Sequence, residues 1–313
     1  MKPTQADIEA AHERIKPYIH RTPVMTNAFI NDLCGAEVFF KAENFQKIGA
    51  FKARGGLNAA LSLGPEEITK GICTHSSGNH AQAVAYAAKM LGIKAYIVMP
   101  KTATRVKVDA VHGYGAEVIF CEPNQKAREE TVLQVQQRTG AVFIHPYNNL
   151  KVIEGQATCA KELIESRSDL DAIFAPVGGG GLLSGTCLSA AYFGKDINVY
   201  AGEPEEVNDA FLSLQKGEIV PATGKISIAD GLMTSLGNLT FPIIREQVSG
   251  IFTVTEAEIR QSTRFIWERM KIIIEPSSAV PLAALLKTRE LFKGKKVGII
   301  ITGGNVDFNH IEW

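Results

Sequence analysis

Lys52 stands in the run Lys47-Ile48-Gly49-Ala50-Phe51-Lys52-Ala53-Arg54-Gly55, and far along the chain lies Pro176-Val177-Gly178-Gly179-Gly180-Gly181-Leu182-Leu183-Ser184-Gly185. A lysine amine attacks an aldehyde only when it is partly neutral. An apolar neighbour such as Phe51 helps, because desolvation disfavours the ammonium form. The four consecutive glycines make a loop without side chains. Several of its backbone N–H groups can converge on one anion, and a helix that starts there adds a partial positive charge. An amine for an aldehyde and a cradle for a phosphate are the two needs of a phosphorylated aldehyde cofactor. Taken singly, Lys52 also reads as a surface lysine and the glycines as a flexible turn.

Two other phosphate-binding patterns compete for the tract. A P-loop needs a lysine between its second glycine and the Ser or Thr, but Gly180 to Thr186 runs from Gly185 directly to Thr186, which disfavours ATP hydrolysis. A dinucleotide fingerprint needs a third glycine where Leu183 or Ser184 stands, although Glu203 occupies the place of a ribose-binding acid. A third segment, Thr74-His75-Ser76-Ser77-Gly78-Asn79-His80, follows a strand candidate and opens a helix. Its amides and hydroxyls can grip a carboxylate, or Ser and Asn there can simply cap the helix. His80 has no other histidine at metal-ligand spacing and reads as structural.

These segments need elements to hold them. Strand-like runs at 37–42, 71–74, 95–99, 117–121, 172–176, 198–202 and 296–302 alternate with helical patterns such as 79–91, 123–139, 152–166 and 182–192. Such alternation predicts α/β architecture, with twisted, parallel-rich sheets covered by helices. At 313 residues the chain is long enough for two domains of roughly 100 to 200 residues. Residues 71–148 read as a small domain that closes over substrate, and 1–70 with 149–313 as the large domain. Ligand sites favour the gap between such domains and the carboxyl ends of parallel strands. No C-terminal regulatory domain is expected.

Lys plus Arg and Asp plus Glu both number 33, so no net field recruits nucleic acid or an anionic membrane. The first twenty residues contain no secretory apolar stretch, and the longest apolar runs fall far short of the roughly 20 residues of a membrane span. Cys34, Cys73, Cys121, Cys159 and Cys187 form no Cys-x-x-Cys pair and read as buried free thiols. A cytoplasmic protein with a small-molecule ligand is expected.

Across almost its whole length the chain resembles the serine/threonine dehydratase and serine racemase family of fold-type II pyridoxal-phosphate (PLP) enzymes, whose fold is like that of the tryptophan synthase β chain. The matching segments are Phe51-Lys52-Ala53-Arg54-Gly55, Ser76-Ser77-Gly78-Asn79-His80, Val177 to Gly181, Ile274-Glu275-Pro276 and Thr302-Gly303-Gly304-Asn305-Val306-Asp307. By this resemblance Lys52 would carry PLP, Phe51 would pack beside its ring and Asn79 would bond its phenolic oxygen. Gly178, Gly179, Gly180, Gly181 and Leu182 would hold the phosphate, and Thr302 would face the pyridine nitrogen. A neutral hydroxyl there does not keep that nitrogen protonated, which favours elimination over transamination. Ser76, Ser77, Gly78, Asn79 and His80 would bind substrate.

The reaction implied is β-elimination from a small β-hydroxy amino acid (L-serine, L-threonine or 3-hydroxyaspartate) to a 2-oxo acid and ammonia. Lys52 would act as general base. Ser77 resembles the second acid/base of serine racemases, so racemisation with dehydratase side activity is the alternative. Tyr147, in His145-Pro146-Tyr147-Asn148, instead resembles the dehydratase form. Ile48 and Ala50 depart from the small hydroxylated residues often found before the family's lysine. The family also places a divalent cation near Glu203, the Val207 carbonyl and Asp209, a pattern that suits Mg²⁺ or Ca²⁺; a solvated acidic helix start is the plainer reading. A homodimer is implied. Readings from other classes are a nicotinamide oxidoreductase using the glycine tract with Glu203, and a non-catalytic PLP-fold sensor.

Overall fold

The run Val297 to Ile301 is apolar on both faces, as a strand needs when helices cover both sides of its sheet. In the computed structural model, which describes residues 2–307, it is the central part of a six-stranded sheet. The strands among the described residues are β1 (Val24–Met25), β2 (Glu37–Ala42), β3 (Ile72–His75), β4 (Ala95–Pro100), β5 (Glu117–Cys121), β6 (Val142–Phe143), β7 (Ala172–Pro176), β8 (Asn198–Pro204), β9 (Gly250–Val254) and β10 (Lys296–Ile301). The larger sheet runs β1-β2-β10-β7-β8-β9 and the smaller β5-β4-β3-β6. All neighbours are parallel except β1 against β2. The fold is therefore α/β, with two parallel-rich sheets flanked by helices.

The seven strands read from sequence are all present, and β2, β5 and β7 have the expected bounds. β1, β6 and β9 were not anticipated. β1 and β6 are two residues long, too short for any periodicity, and are defined only by the partner strand beside them. Strands β3 to β6 all fall within 71–148 and the other six flank that segment. The core beneath the smaller sheet nevertheless reaches outside those bounds. Ala53, Leu57 and Ala60 of the helix Lys52–Leu61 share it with Ala81, Val84 and Ala88 of the helix Asn79–Leu91. The lysine-bearing helix is thus packed against the smaller sheet's own helix. Two further clusters cover the two faces of the larger sheet.

Candidate active site

Parallel pairing brings the carboxyl ends of the central strands to one edge: Ile301 lies opposite Ala42, and Pro176 opposite Gly202. Thr302 follows β10, the glycine tract follows β7, and Ser76 to Gly78 follow β3. All of them line one cleft of about 410 Å³, together with Phe51, Lys52, Asn79, His80 and Leu182. Every residue expected at the cofactor or substrate is on this cleft, whereas Glu203, Val207 and Asp209 do not line it.

Lys52 opens its helix, and the segment before it is stitched to the end of β10. Phe51 N donates to the Thr302 carbonyl at 2.9 Å, Gly304 N donates to the Gly49 carbonyl at 2.9 Å, and Ala50 bridges Gly303. Ile48 has φ 61, a conformation that β-branched residues rarely adopt, and its carbonyl accepts from Asn305 Nδ2 at 2.8 Å. Two residues beyond Lys52, the fully buried Arg54 guanidinium bonds Glu43 at 2.7 and 2.8 Å, Glu162 twice at 2.8 Å and Thr158 at 3.1 Å. Lys41 completes the buried cluster at 2.6 Å from Glu162. The glycines after Lys52 serve packing, not a ligand. A Cβ on Gly55 would lie 2.8 Å from the Val152 carbonyl oxygen, and one on Gly56 would lie 2.9 Å from Ala83 Cβ. They let three helices approach closely, whereas Gly49, before the lysine and at φ +69, serves a turn.

The Lys52 amine donates to the Pro146 carbonyl at 2.7 Å and lies 5.2 Å from the Phe51 ring centroid. Burial pulls its pKa down to about 8, with the Glu275 carboxylate partly opposing the shift. Such an amine is partly neutral near physiological pH, as attack on an aldehyde requires.

Gly180 caps the helix Gly181–Phe193 with φ +85. The first intrahelical bond here runs from Ser184 N to the Gly180 carbonyl, so the N–H groups of Gly181, Leu182 and Leu183 have no intrahelical acceptor. A Cβ on Gly178 would sit 2.9 Å from Leu232 Cα, and one on Gly179 would enter the Tyr147 ring. Only glycine fits this loop, and the helix N-terminus behind it suits a phosphate. With the low-pKa lysine in the same cleft, the residues present fit PLP. No side chain caps the helix Asn79–Leu91: its N-cap is Gly78, and the Ser76 hydroxyl accepts only from Gly78 N, at 3.3 Å, outside the helix. The capping reading falls, and Ser77 and Asn79 remain on the cleft.

Buried His80 uses Nε2 on the Ile144 carbonyl at 2.9 Å, and burial with the nearby Lys52 charge holds it well below the usual histidine range. It is neutral, with its proton on Nε2. His145 Nδ1 accepts from Asn148 N at 3.0 Å, and burial brings its pKa down to about 4. The Tyr147 ring stands edge-on to His145 at 4.6 Å and covers Gly179.

Residue spacing had not suggested the group that joins these parts. Glu275, 6% exposed, accepts from Asn79 Nδ2 at 3.1 and 3.0 Å on its two oxygens and from the Thr302 hydroxyl at 3.3 Å. Asn79 Oδ1 in turn accepts from Asn305 Nδ2 at 2.8 Å, which fixes the orientation of the amide. Glu275 and Asn305 lay inside quoted motifs, but nothing in their spacing pointed to Asn79.

Away from the cleft, Glu203 caps the helix Asp209–Lys216, its two oxygens accepting from Ala210 N and Phe211 N at 2.8 Å each. Burial pushes Glu203 up to about 8 and Asp209 up to about 6. Neither carboxylate oxygen of Asp209 has a partner. The plainer reading as a solvated acidic helix start fails, because Glu203 and Asp209 are each 1% exposed. Among the described residues no group of three or more His, Cys, Asp or Glu side chains converges to hold a metal.

Fold and cleft together define a PLP-binding α/β enzyme. The family model described as pyridoxal-phosphate dependent enzyme matches residues 15–303, and the chain belongs to that family. It is 50% identical over 311 residues to beta-hydroxyaspartate dehydratase of Paracoccus denitrificans, covering 99% of each chain. It is 53% identical over 315 residues to serine racemase of Dictyostelium discoideum, covering 99% of this chain and 97% of that one. The crystal structure of the Dictyostelium racemase superposes with a TM-score of 0.93 at 52% identity, covering 97% of this chain and 99% of the other.

Proposed function

We propose that this chain is a PLP-dependent ammonia-lyase that removes water and ammonia from small β-hydroxy amino acids, with 3-hydroxyaspartate, L-serine and L-threonine as the substrate class. The observation that carries this is the low-pKa Lys52 amine in the same cleft as the glycine cradle and the Ser76 to His80 loop. When bound, PLP supplies an electron sink that acidifies the substrate Cα–H. Lys52 takes that proton at Nζ, and the Pro146 carbonyl aims the amine. The N-terminus of the helix Asn79–Leu91 holds the substrate carboxylate, and Asn79, held by Glu275 and Asn305, holds the cofactor ring. Thr302, at the end of β10 on the cleft, would offer its hydroxyl to the ring nitrogen. The unit 71–148 closes as a small domain, and Lys107 and Asp230, 2.9 Å apart, pair across the cleft mouth.

The second reading, serine racemisation, is favoured by Ser77, whose hydroxyl would return a proton to the face opposite Lys52. A cation near Asp209, with Glu203 and the Val207 carbonyl, would answer the two unpartnered oxygens of Asp209. A homodimer is the assembly expected of this family, and exposed Phe29, Phe45 and Ile273 offer apolar surface for one. Sedimentation as a monomer would count against that assembly. The cysteines are free and buried, in keeping with a cytoplasmic enzyme, and no helix among the described residues is long and apolar enough to cross a membrane.

The test is keto-acid release from a panel of β-hydroxy amino acids, with chiral analysis of the remaining substrate. Lys52→Ala should abolish both release and the visible absorbance of lysine-bound PLP. An unchanged band in the Ala variant refutes the assignment of Lys52.

A further inference from the structure

The chain ahead of Lys52 reverses through two successive residues with positive φ, Ile48 at 61° and Gly49 at 69°, and Gly49 N closes the turn on the Gln46 carbonyl at 2.8 Å. Glycine suits the second position, where a Cβ would lie 2.9 Å from Asn305 Oδ1. At the first, an isoleucine stands where its own backbone is strained, because a branched Cβ crowds the carbonyl in the left-handed region. Strain of this kind persists only where the surrounding structure over-determines it, and it gathers at functional sites. Two contacts hold it here. The Ile48 side chain is 9% exposed, in the core cluster that contains Ala53 and Leu57 of the lysine helix and Ala81 and Val84 of the helix Asn79–Leu91. The Ile48 carbonyl accepts one N–H of the Asn305 amide at 2.8 Å, and the other N–H goes to Asn79 Oδ1, also at 2.8 Å.

We propose that Ile48 is a positioning residue for Lys52, a strained seat that fixes the lysine segment against the helix Asn79–Leu91. The seat rests on the reading that Lys52 carries PLP. One residue reaches both halves of the cleft: its side chain enters the core beneath the two helices, and its carbonyl meets the amide that orients Asn79. Rotating Ile48 to an ordinary negative φ would turn that carbonyl away from Asn305. The residues that follow pair with the end of β10, Gly49 through its carbonyl to Gly304, Ala50 at Gly303 and Phe51 at Thr302, and that pairing would lose its register. Lys52 enters the cleft directly after those three contacts. How deep the amine sits is thus set at Ile48.

Depth is what makes the amine reactive. Burial brings Lys52 down to about 8, so an amine that shifts toward solvent is more fully protonated near neutrality and attacks an aldehyde more slowly. The charged and titratable groups around Lys52 are Glu275, across the cleft, and His80 and His145, both kept neutral by burial. An uncharged substitution at Ile48 alters none of them. A change in the titration of the amine in such a variant therefore reports a change in its position.

The experiment adds PLP to the cofactor-free protein and follows growth of the visible band of lysine-bound PLP against pH. The native protein is compared with Ile48→Gly, Ile48→Ala and Ile48→Val, with calorimetry of each holoenzyme. In the native protein the rate should rise through an inflection at about 8. Ile48→Gly and Ile48→Ala, which lose the buried side chain, should move that inflection upward and slow the band at neutral pH by about threefold or more. Ile48→Val keeps a branched, buried side chain and should follow the native curve. Strain shows in the melting order: glycine tolerates the left-handed region and alanine does not, so Ile48→Gly should melt about 2–4 °C above Ile48→Ala. The ordinary order, Ala above Gly, overturns the strained seat. So does an inflection that stays in place in both truncations, or one that moves as far in Ile48→Val. A native protein that forms no band removable by Lys52→Ala overturns the function proposed above, and the seat falls with it. Should Ile48→Gly not fold, Ile48→Asn, which also accepts the left-handed region, takes its place under the same criteria.

Discussion

Replacing Arg54 by Met tests whether the buried ion cluster holds Lys52 in place. The guanidinium makes five hydrogen bonds to Glu43, Glu162 and Thr158, and its side chain is 0% exposed. Without it, Glu162 keeps Lys41 at 2.6 Å and His12 at 3.7 Å, the latter with its pKa lowered by burial, while Glu43 loses the guanidinium that pairs with it. Stranding a buried charge in this way costs about 3–5 kcal/mol, and for a large domain each kcal/mol lowers Tm by about 2–4 °C. A fall on the order of 10 °C is expected in calorimetry of the holoenzyme.

The loss should depend on pH with a definite sign. In the native protein burial would raise Glu162, yet the Arg54 and Lys41 bonds hold it down to about 2. Its contribution is present above the unfolded value and is lost as pH falls toward about 2. In Arg54→Met the Glu162 carboxyl, still buried but without its guanidinium, should titrate above its unfolded value, so the penalty shrinks as pH drops from neutrality toward about 4. Arg54→Lys, a point charge that cannot bridge both carboxylates, should fall between the two. A loss under about 1 kcal/mol, or one that ignores pH, refutes the reasoning.

Two further predictions concern the remaining chemistry. Ser77→Ala should reduce D-serine formation from L-serine more than keto-acid release, measured on the same samples; equal loss of both would mean that Ser77 has no separate proton-returning role. Since a cation needs both carboxylates ionised, Ca²⁺ or Mg²⁺ affinity measured by calorimetry should rise with pH between about 6 and about 8, and Asp209→Asn should abolish it. Binding that is flat in pH would remove the cation from this position.

Lys52, the glycine tract and the Ser76 to His80 loop were legible in the sequence because each chemistry is local. Phe51 adjoins its lysine, the glycines adjoin one another, and both turns follow apolar runs that only strands explain. The α/β class was legible for the same reason, since periodicity is a property of neighbours along the chain. The tertiary structure alone decided what the glycines after Lys52 do, because Gly55 and Gly56 face helices that the sequence brings in much later. It alone showed that the Lys52 amine meets the Pro146 carbonyl and that Arg54 neutralises Glu43 and Glu162. Above all, it placed Glu275 against Asn79 across a separation of 196 residues. Burial pushes that carboxyl up to about 7, and burial depends on what the whole fold lays over it, which no local pattern of residues encodes.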